Sequence, residues 1–162
     1  GQVVDGGVGA DDGAQRGGDE AELERLGLRS RTTPVGLVRP DEVPGQIAGF
    51  DILAHTSQWE GLPRAVVQAL LMQVPAVAFA IDGTPEVVID NQTGRLVELN
   101  DLGLFAGCLV ELAGDDERRA RFGRAGRTLC LERFDGQRMV RQLESLYANL
   151  FADSQRGEMA RR

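Results

Sequence analysis

Short apolar runs alternate along the chain with longer segments whose apolar residues recur every three or four positions. The short runs predict buried strands, whereas the longer spacing predicts helices that bury one face. Clusters of Gly and Pro separate the two kinds of segment and predict turns. Strands are predicted at residues 3–4, 32–38, 51–54, 75–80 and 95–99. Helices are predicted at residues 20–27, 63–73, 102–115, 116–134 and 137–151, the first of them capped by Asp19 and ended by Gly27.

The order of these elements defines the predicted fold class. Strands that alternate with helices indicate a parallel sheet with helices on its faces. We therefore predict an α/β, Rossmann-like domain over residues 1–150, with a helical C-terminal region from Asp101 onward. Residues 151–162 are predicted to form a polar tail that frays. Because the chain does not begin with Met and opens inside a predicted strand, we expect a fragment of a longer protein.

Composition and charge restrict the classes of function. The chain has 42% hydrophobic and 27% charged residues, without a run of ~18 apolar residues or a signal peptide, so a cytoplasmic globular protein is expected. The net charge of −7 argues against nucleic acid as a partner. All 18 basic residues are Arg, so any side-chain contact to phosphate would use guanidinium groups. Cys108 and Cys130 lie in no metal-type cluster, and we expect reduced, buried thiols and no metal site.

Two predicted strand–loop–helix units, at residues 56–64 and 81–86, carry the candidate chemistry. Ligands of an open parallel sheet bind beyond the carboxyl ends of its strands. Each unit has a Gly turn before a helix start, where the backbone can approach a ligand and free N–H groups attract an anion such as phosphate. Because Pro63 has no N–H, the predicted donors are Gly61, Leu62, Arg64 and Ala65.

Polar side chains near the first unit have two interpretations each. Glu60, directly before the helix, either complements the helix dipole or accepts two sugar hydroxyls, and Glu86 has the same alternatives. The Gln68 amide, on an otherwise apolar helix, is either satisfied by neighbouring backbone or binds a ligand. For His55, the only His of the chain, a packing or hydrogen-bonding role is favoured over that of a general base.

Residues 57–88, SQWEGLPRAVVQALLMQVPAVAFAIDGTPEVV, strongly resemble the donor-binding segment of retaining glycosyltransferases of family 4, which have the GT-B fold. In that family a Glu is followed, after seven intervening residues, by a second Glu, and a G-x-P-E turn comes after the next strand. Here Glu60 stands at the first position, and Gly83 to Glu86 match the turn. Residues 127–147 resemble the family's last two helices, and the resemblance covers most of residues 32–150.

The resemblance implies the C-terminal domain of a GT-B enzyme, which binds a nucleoside diphosphate sugar and transfers the sugar with retention, without a metal or other cofactor. Glu60 would be catalytic and contact the donor sugar, the amides after it would hold sugar and pyrophosphate, and Gln68 would bind the ribose. The implied site residues are Glu60, Gly61, Leu62, Arg64, Ala65, Gln68 and, in a secondary loop, Gly83, Thr84 and Glu86. The partners would be the nucleotide sugar and an N-terminal acceptor domain of the same enzyme. Peripheral association with the cytoplasmic face of the membrane is a further possibility.

The sequence departs from the family pattern at two places. Gln68 replaces the second Glu, so we expect weaker ribose binding because a charge-assisted hydrogen bond is lost. The family's first strand, with a Gly-Arg loop and a following Lys, has no counterpart, and the chain contains no Lys. The isolated chain is therefore expected to bind donor weakly and to lack transferase activity. Two alternatives stay open: a non-catalytic interaction module that keeps the fold, and another GT-B enzyme such as a sugar-nucleotide epimerase.

Overall fold

The structure, a computed structural model, describes residues 3–5, 21–33, 35–36 and 38–159, with side chains for residues 21–33, 35–36 and 38–151. The chain divides into two compact units, Gly1–Cys130 and Leu131–Arg162. The predicted cap Asp19 lies outside the described residues, whereas Gly27 ends the first helical segment with a φ of 67°, as predicted. The domain boundary at residue 150 stays a prediction.

Within the described residues, the first unit contains four strands and most of the helices. The strands are β1 (Val3–Asp5), β2 (Ile52–His55), β3 (Ala76–Phe79) and β4 (Gly94–Val97). The helices are α1 (residues 21–25), α2 (Val43–Ile47), α3 (Arg64–Leu71), α4 (Thr84–Val87), α5 (Leu102–Ala113) and α6 (Asp116–Arg133), which runs into the second unit. A 3-10 turn occupies Arg29–Arg31.

The four strands form one parallel sheet in the order β1-β2-β3-β4. This confirms the predicted α/β class with a parallel sheet flanked by helices. Residues of β2 and β3 are buried throughout, which explains why both strands are apolar without alternation. His55 pairs with Ala78, so the carboxyl ends of β2 and β3 lie side by side and their loops emerge at the same edge.

The hydrophobic core lies between the sheet and α5. Alternate residues of β2, β3 and β4 meet the buried side of this helix, and the rings of Phe79 and Phe105 lie 4.9 Å apart. The cluster consists of Ile52, Ala54, Val77, Phe79, Ile81, Val97, Phe105, Cys108, Leu112 and Phe122. Helix α3 also packs against β2 and β3 and buries Val66, Ala69 and Leu70. Each fully buried aliphatic side chain contributes roughly 1.5–3 kcal/mol to the stability of the fold. This packing holds α3 against the sheet and thereby fixes both ends of the loop between β2 and α3.

Helix α6 approaches α3 through two glycines. A Cβ atom at Gly123 would overlap the carbonyl oxygen of Gln73, and one at Gly126 would press on the side chain of Leu70. The missing side chains therefore allow backbone to pack on backbone at the end of α3. Gln73 itself has a φ of 63°, in the left-handed region that ends a helix.

Three sequence predictions differ from the structure. The strand predicted at 32–38 is wrong, because none of the described residues in that range belongs to a strand. The chain forms the 3-10 turn before it and has a φ of 65° at Gly36, which an extended strand excludes. Helix α2 replaces the turn that Pro44 and Gly45 predict, because Pro44 is compatible with a first helical turn, where its missing N–H has no helical acceptor. The last helix extends to Met159, into the segment predicted to fray.

The second unit contains the end of α6 and helix α7 (Gly136–Met159). Asp135 begins α7, because its Oδ1 accepts a hydrogen bond from the backbone N–H of Gln137 at 2.9 Å. The guanidinium group of Arg141 lies 3.8 Å from the same carboxylate. Within the described part of the chain, every helix is too short or too polar to cross a membrane.

Candidate functional site

The loop between β2 and α3 presents the first group of candidate residues. It leaves the sheet at His55, passes the exposed Trp59 and reaches the buried Pro63 directly before α3. Pro63 is the N-cap residue, and no side chain caps the helix. The backbone N–H groups of Gly61, Leu62, Arg64 and Ala65 have no acceptor among the described residues. The four amides predicted as ligand donors are therefore available at the start of α3.

The neighbouring loop, between β3 and α4, fastens the first loop by two hydrogen bonds. Asp82 Oδ2 accepts a bond from the backbone N–H of Glu60 at 2.8 Å. The backbone N–H of Gly83 donates to the carbonyl oxygen of Gly61 at 3.1 Å. The two loops are so close here that a Cβ atom at Gly83 would overlap the Gly61 oxygen. The structure thus brings the two predicted segments together, as expected for neighbouring strands of a parallel sheet.

His55 faces the carboxylate of Glu60. Its Nε2 lies 3.1 Å from Oε1 of Glu60, and the Glu60 side chain keeps 24% of its surface exposed. The Nε2 atom is buried, and its direction leaves it without an aligned hydrogen bond among the described residues. Its burial and this contact fit the packing alternative that the sequence favoured for His55, and the imidazole lies beside the carboxylate.

Two further predicted contacts lie along α3. Arg64 is exposed at the first helical position, and its guanidinium group has no ion-pair partner among the residues the structure describes. Gln68 lies one turn farther along and is half-buried. Its side-chain amide makes no hydrogen bond within the described residues, so the alternative of satisfaction by neighbouring backbone is not realised. Both groups remain free to meet a ligand.

The remaining predicted residues lie in the second loop and differ in accessibility. Thr84 is fully buried, and its Oγ1 has no hydrogen-bond partner among the described residues. Glu86 is exposed in the first turn of α4, where its charge complements the helix dipole. Of Gly83, Thr84 and Glu86, it is Gly83 that hydrogen-bonds to the first loop, through its backbone N–H. No group of three His, Cys, Asp or Glu side chains meets within the described ranges as a metal site requires, and independence from metal stays a prediction.

Sequence reasoning missed one residue of the site, Asp82. It was passed over as part of the Gly turn, because nothing in a linear pattern shows that a carboxylate in one loop accepts a bond from a backbone 22 positions away. Its φ of 40° lies in the left-handed region, which Asp and Asn enter more readily than most residues. An Asp directly before the Gly of the turn was the available signal.

With this geometry in place, comparison with known proteins decides the family. Residues 6–129, more than half of the chain, match the profile of the family described as glycosyl transferases group 1. The chain belongs to the glycosyl transferases group 1 family. Family membership agrees with the predicted glycosyltransferase resemblance and with the position of the two loops at the carboxyl edge of the sheet.

Comparison with individual proteins and solved structures extends this result. N-acetyl-alpha-D-glucosaminyl L-malate synthase from Bacillus anthracis is 27% identical over 137 residues, which cover 85% of the chain and 35% of that protein. The chain therefore spans about a third of the length of this curated relative. Sucrose-phosphate synthase from Thermosynechococcus elongatus superimposes with a TM-score of 0.83 at 24% identity, covering 93% of the chain and 38% of that structure. HepE from Anabaena, solved in complex with UDP-glucose, has a TM-score of 0.75 at 25% identity, covering 84% and 38% respectively.

Proposed function

We propose that the chain forms the nucleotide-sugar-binding part of a retaining glycosyltransferase of family 4. The observation that carries the proposal is the carboxylate of Glu60, held at the start of α3 beside four backbone N–H groups without an acceptor. Membership of the glycosyl transferases group 1 family supports it, as does the similarity to an Anabaena protein in complex with UDP-glucose. The reaction would move a sugar from a nucleoside diphosphate onto a glycan, lipid or small-molecule acceptor.

The first loop would bind the sugar and the diphosphate of the donor. Glu60 accepts hydrogen bonds from sugar hydroxyls, because an ionised carboxylate has acceptors only and can meet two hydroxyls at once. Four backbone N–H groups, those of Gly61, Leu62, Arg64 and Ala65, have no acceptor among the described residues. In the proposed complex they donate hydrogen bonds to sugar or phosphate oxygens. Anion binding at this position also gains from the positive end of the α3 dipole.

Stabilisation of the leaving group follows from the same helix start. When the bond between the sugar and the diphosphate breaks, negative charge grows on the diphosphate oxygens. The backbone donors meet this charge without a large rearrangement because α3 fixes them, and the exposed guanidinium of Arg64, at the first position of the same helix, adds a positive charge. In this proposal the protein's own donors take the part that a resident metal ion plays in other transferases.

Gln68 would contact the ribose of the donor. Its amide lies on α3 one turn beyond Arg64 and has no partner among the residues described. An amide can accept from one ribose hydroxyl and donate to another, although it lacks the charge of a Glu. Gly83, Thr84 and Glu86 complete the site as the secondary loop. The acceptor domain and further pyrophosphate contacts would lie outside this chain, which would then be a weak donor binder without transfer activity of its own.

The chain has a single Trp, and this allows a direct binding test. Trp59 is 82% exposed and directly precedes Glu60, so its fluorescence should respond to a ligand at this loop. Titration with UDP-glucose, UDP and a GDP-sugar is expected to give a saturable change with at least one donor. Glu60→Gln should weaken binding of the sugar nucleotide about tenfold, by loss of one charged acceptor. Glu117→Gln, an exposed carboxylate in the first turn of α6, is the matched control and should bind as the original chain does.

Saturation-transfer NMR with the same ligands provides the second readout. Absence of any signal in this chain, and again in a protein extended by the rest of the enzyme, would overturn the proposal. One observation favours a second candidate, a non-catalytic interaction module: Gln68 stands where the family has its second Glu. A module of that kind would fold normally and ignore every nucleotide sugar in both experiments.

A further inference from the structure

His55 lies in a position that the proposed reaction does not yet use. It is the last residue of β2 and is 8% exposed, behind the loop that carries Glu60. A buried polar nitrogen without a hydrogen-bond partner costs about 1–3 kcal/mol of stability. We therefore expect a hydrogen-bonding role for Nε2 that offsets this cost. The oxygen within its reach is Oε1 of Glu60, at 3.1 Å.

The backbone of Glu60 is held independently of its side chain. Asp82 fixes the N–H of Glu60, and Gly83 fixes the carbonyl group of the following residue, Gly61. These two bonds place the Cα atom but leave the rotations of the Glu60 side chain undetermined. A third contact is needed to select one direction for the carboxylate, and Nε2 of His55, at 3.1 Å from Oε1, lies close enough to supply it.

We propose that His55 is a positioning residue whose buried Nε2–H donates to one carboxylate oxygen of Glu60 and directs the other oxygen to the donor sugar. This inference rests on the proposed function for the identity of the ligand, whereas the His55–Glu60 pairing is a property of the chain itself. His55 does not touch the sugar in this arrangement. It acts through Glu60, and its effect is therefore confined to the sugar part of the donor.

The single imidazole of the chain makes the pairing directly observable. Nitrogen-15 NMR of the His ring is expected to show the Nε2–H tautomer, with an Nε2 signal that moves when Glu60→Gln removes the charge of the acceptor. Glu117→Gln, remote in sequence and located on α6, should leave the ring signals unchanged. Ring signals that do not respond to Glu60→Gln would overturn the inference.

Two substitutions of matched length test the consequence for the ligand. His55→Gln keeps an N–H donor, whereas His55→Met offers none. We expect His55→Met to reduce the preference for UDP-glucose over UDP about tenfold, with UDP binding itself unchanged, and His55→Gln to restore part of that preference. Thermal unfolding checks that both variants are folded. If both are equally stable but only His55→Gln restores the preference for UDP-glucose, the loss in His55→Met is due to the missing N–H donor and not to a structural effect.

The outcomes separate this inference from the proposed function. If the original chain prefers UDP-glucose and His55→Met keeps that preference, the inference is wrong and the proposed function stands. If neither the original chain nor a protein extended by the rest of the enzyme binds UDP, UDP-glucose or the GDP-sugar, the proposed function fails. The ring signals of the Glu60→Gln variant then still decide whether His55 holds the Glu60 carboxylate.

Discussion

The carboxylate of Asp82 accepts a hydrogen bond from the backbone N–H of Glu60 at 2.8 Å. Through this bond, the loop after β3 holds the residue that we place at the donor sugar, which belongs to the loop after β2. The bond also removes the Glu60 N–H from the set of free donors at the site. The geometry of the candidate site therefore depends on a pair of loops, and each loop alone would leave Glu60 free to move.

Replacement of Asp82 tests this dependence. Asp82→Ala removes the acceptor and puts Ala at a φ of 40°, so we expect about 1–3 kcal/mol lower stability and weaker binding of sugar nucleotides. Asp82→Asn keeps a side-chain carbonyl and tolerates the same backbone, and it should retain most of both properties. Urea unfolding and Trp59 fluorescence titrations measure the two effects. Equal losses in Asp82→Ala and Asp82→Asn would show that the negative charge, rather than the hydrogen bond, is what matters.

A second prediction concerns the close approach of Gly83 to Gly61. In Gly83→Ala the new methyl group would overlap the Gly61 carbonyl oxygen, which is backbone and cannot rotate away. We expect the loops to separate, at a cost of about 1–3 kcal/mol in unfolding free energy and with loss of sugar-nucleotide binding.

Gly107→Ala is the control for that substitution. Gly107 is exposed in α5, and a Cβ atom there meets nothing within 4 Å. Ala at this helical position should raise stability by about 0.5–1 kcal/mol and leave binding unchanged. A Gly83→Ala variant as stable as the original chain would contradict the close contact between the loops.

The parts of the fold that the sequence predicted are those set by local pattern. The buried strands β2 and β3 are continuous apolar runs, and helices α5 and α6 repeat apolar residues at helical spacing, so both kinds of element follow from a short window of sequence. The strand prediction at 32–38 is wrong because the apolar residues of this segment are typical of a strand, whereas the left-handed backbone of Gly36 interrupts an extended conformation.

The candidate site was predictable only as far as its residues are adjacent in the chain. Glu60 and the free amides after it follow from a Gly turn before a helix, which is a local feature. The contact of Asp82 with Glu60 depends on the register between β2 and β3, whereas that of His55 with the Glu60 carboxylate depends on how the loop after β2 folds back on the strand end. Register is a tertiary property, and a single sequence does not contain it explicitly.

Cys130 gives a prediction for the dependence of stability on pH. Burial raises the pKa of the Cys130 thiol from 9.0 to about 11, because an apolar surrounding disfavours the thiolate. Between pH 9 and pH 11 the unfolded chain loses this proton and the folded chain keeps it. The contribution of the buried, protonated Cys130 thiol to the free energy of unfolding is therefore fully present below pH 9 and is lost as pH rises toward 11.

Measurement of unfolding free energy across this pH window checks the effect of Cys130. The decline should be shallower in Cys130→Ala, which has no thiol to titrate. The thiol should also react with an alkylating reagent only after unfolding, since the residue is 1% exposed. Rapid modification of Cys130 in the folded chain at pH 8 would contradict its burial.

The last prediction concerns Gln68, where the chain departs from the family pattern. A carboxylate at this position accepts from ribose hydroxyls in charge-assisted bonds, which are about twice as strong as neutral ones. We expect Gln68→Glu to tighten UDP binding about three- to tenfold and Gln68→Ala to weaken it. Gln92→Glu adds the same charge at an exposed turn and controls for the change in net charge.

The nucleotide alone is the ligand to use, because UDP contains the ribose but not the sugar that Glu60 would contact. A gain seen for UDP and UDP-glucose alike places residue 68 at the UDP part of the donor, which includes the ribose, since an effect on the shared part of both ligands cancels in their ratio. A gain confined to UDP-glucose would move residue 68 to the sugar. If neither Gln68→Glu nor Gln68→Ala changes binding, the half-buried amide has no part in nucleotide recognition, and this result supports the interaction-module alternative against the donor-binding proposal.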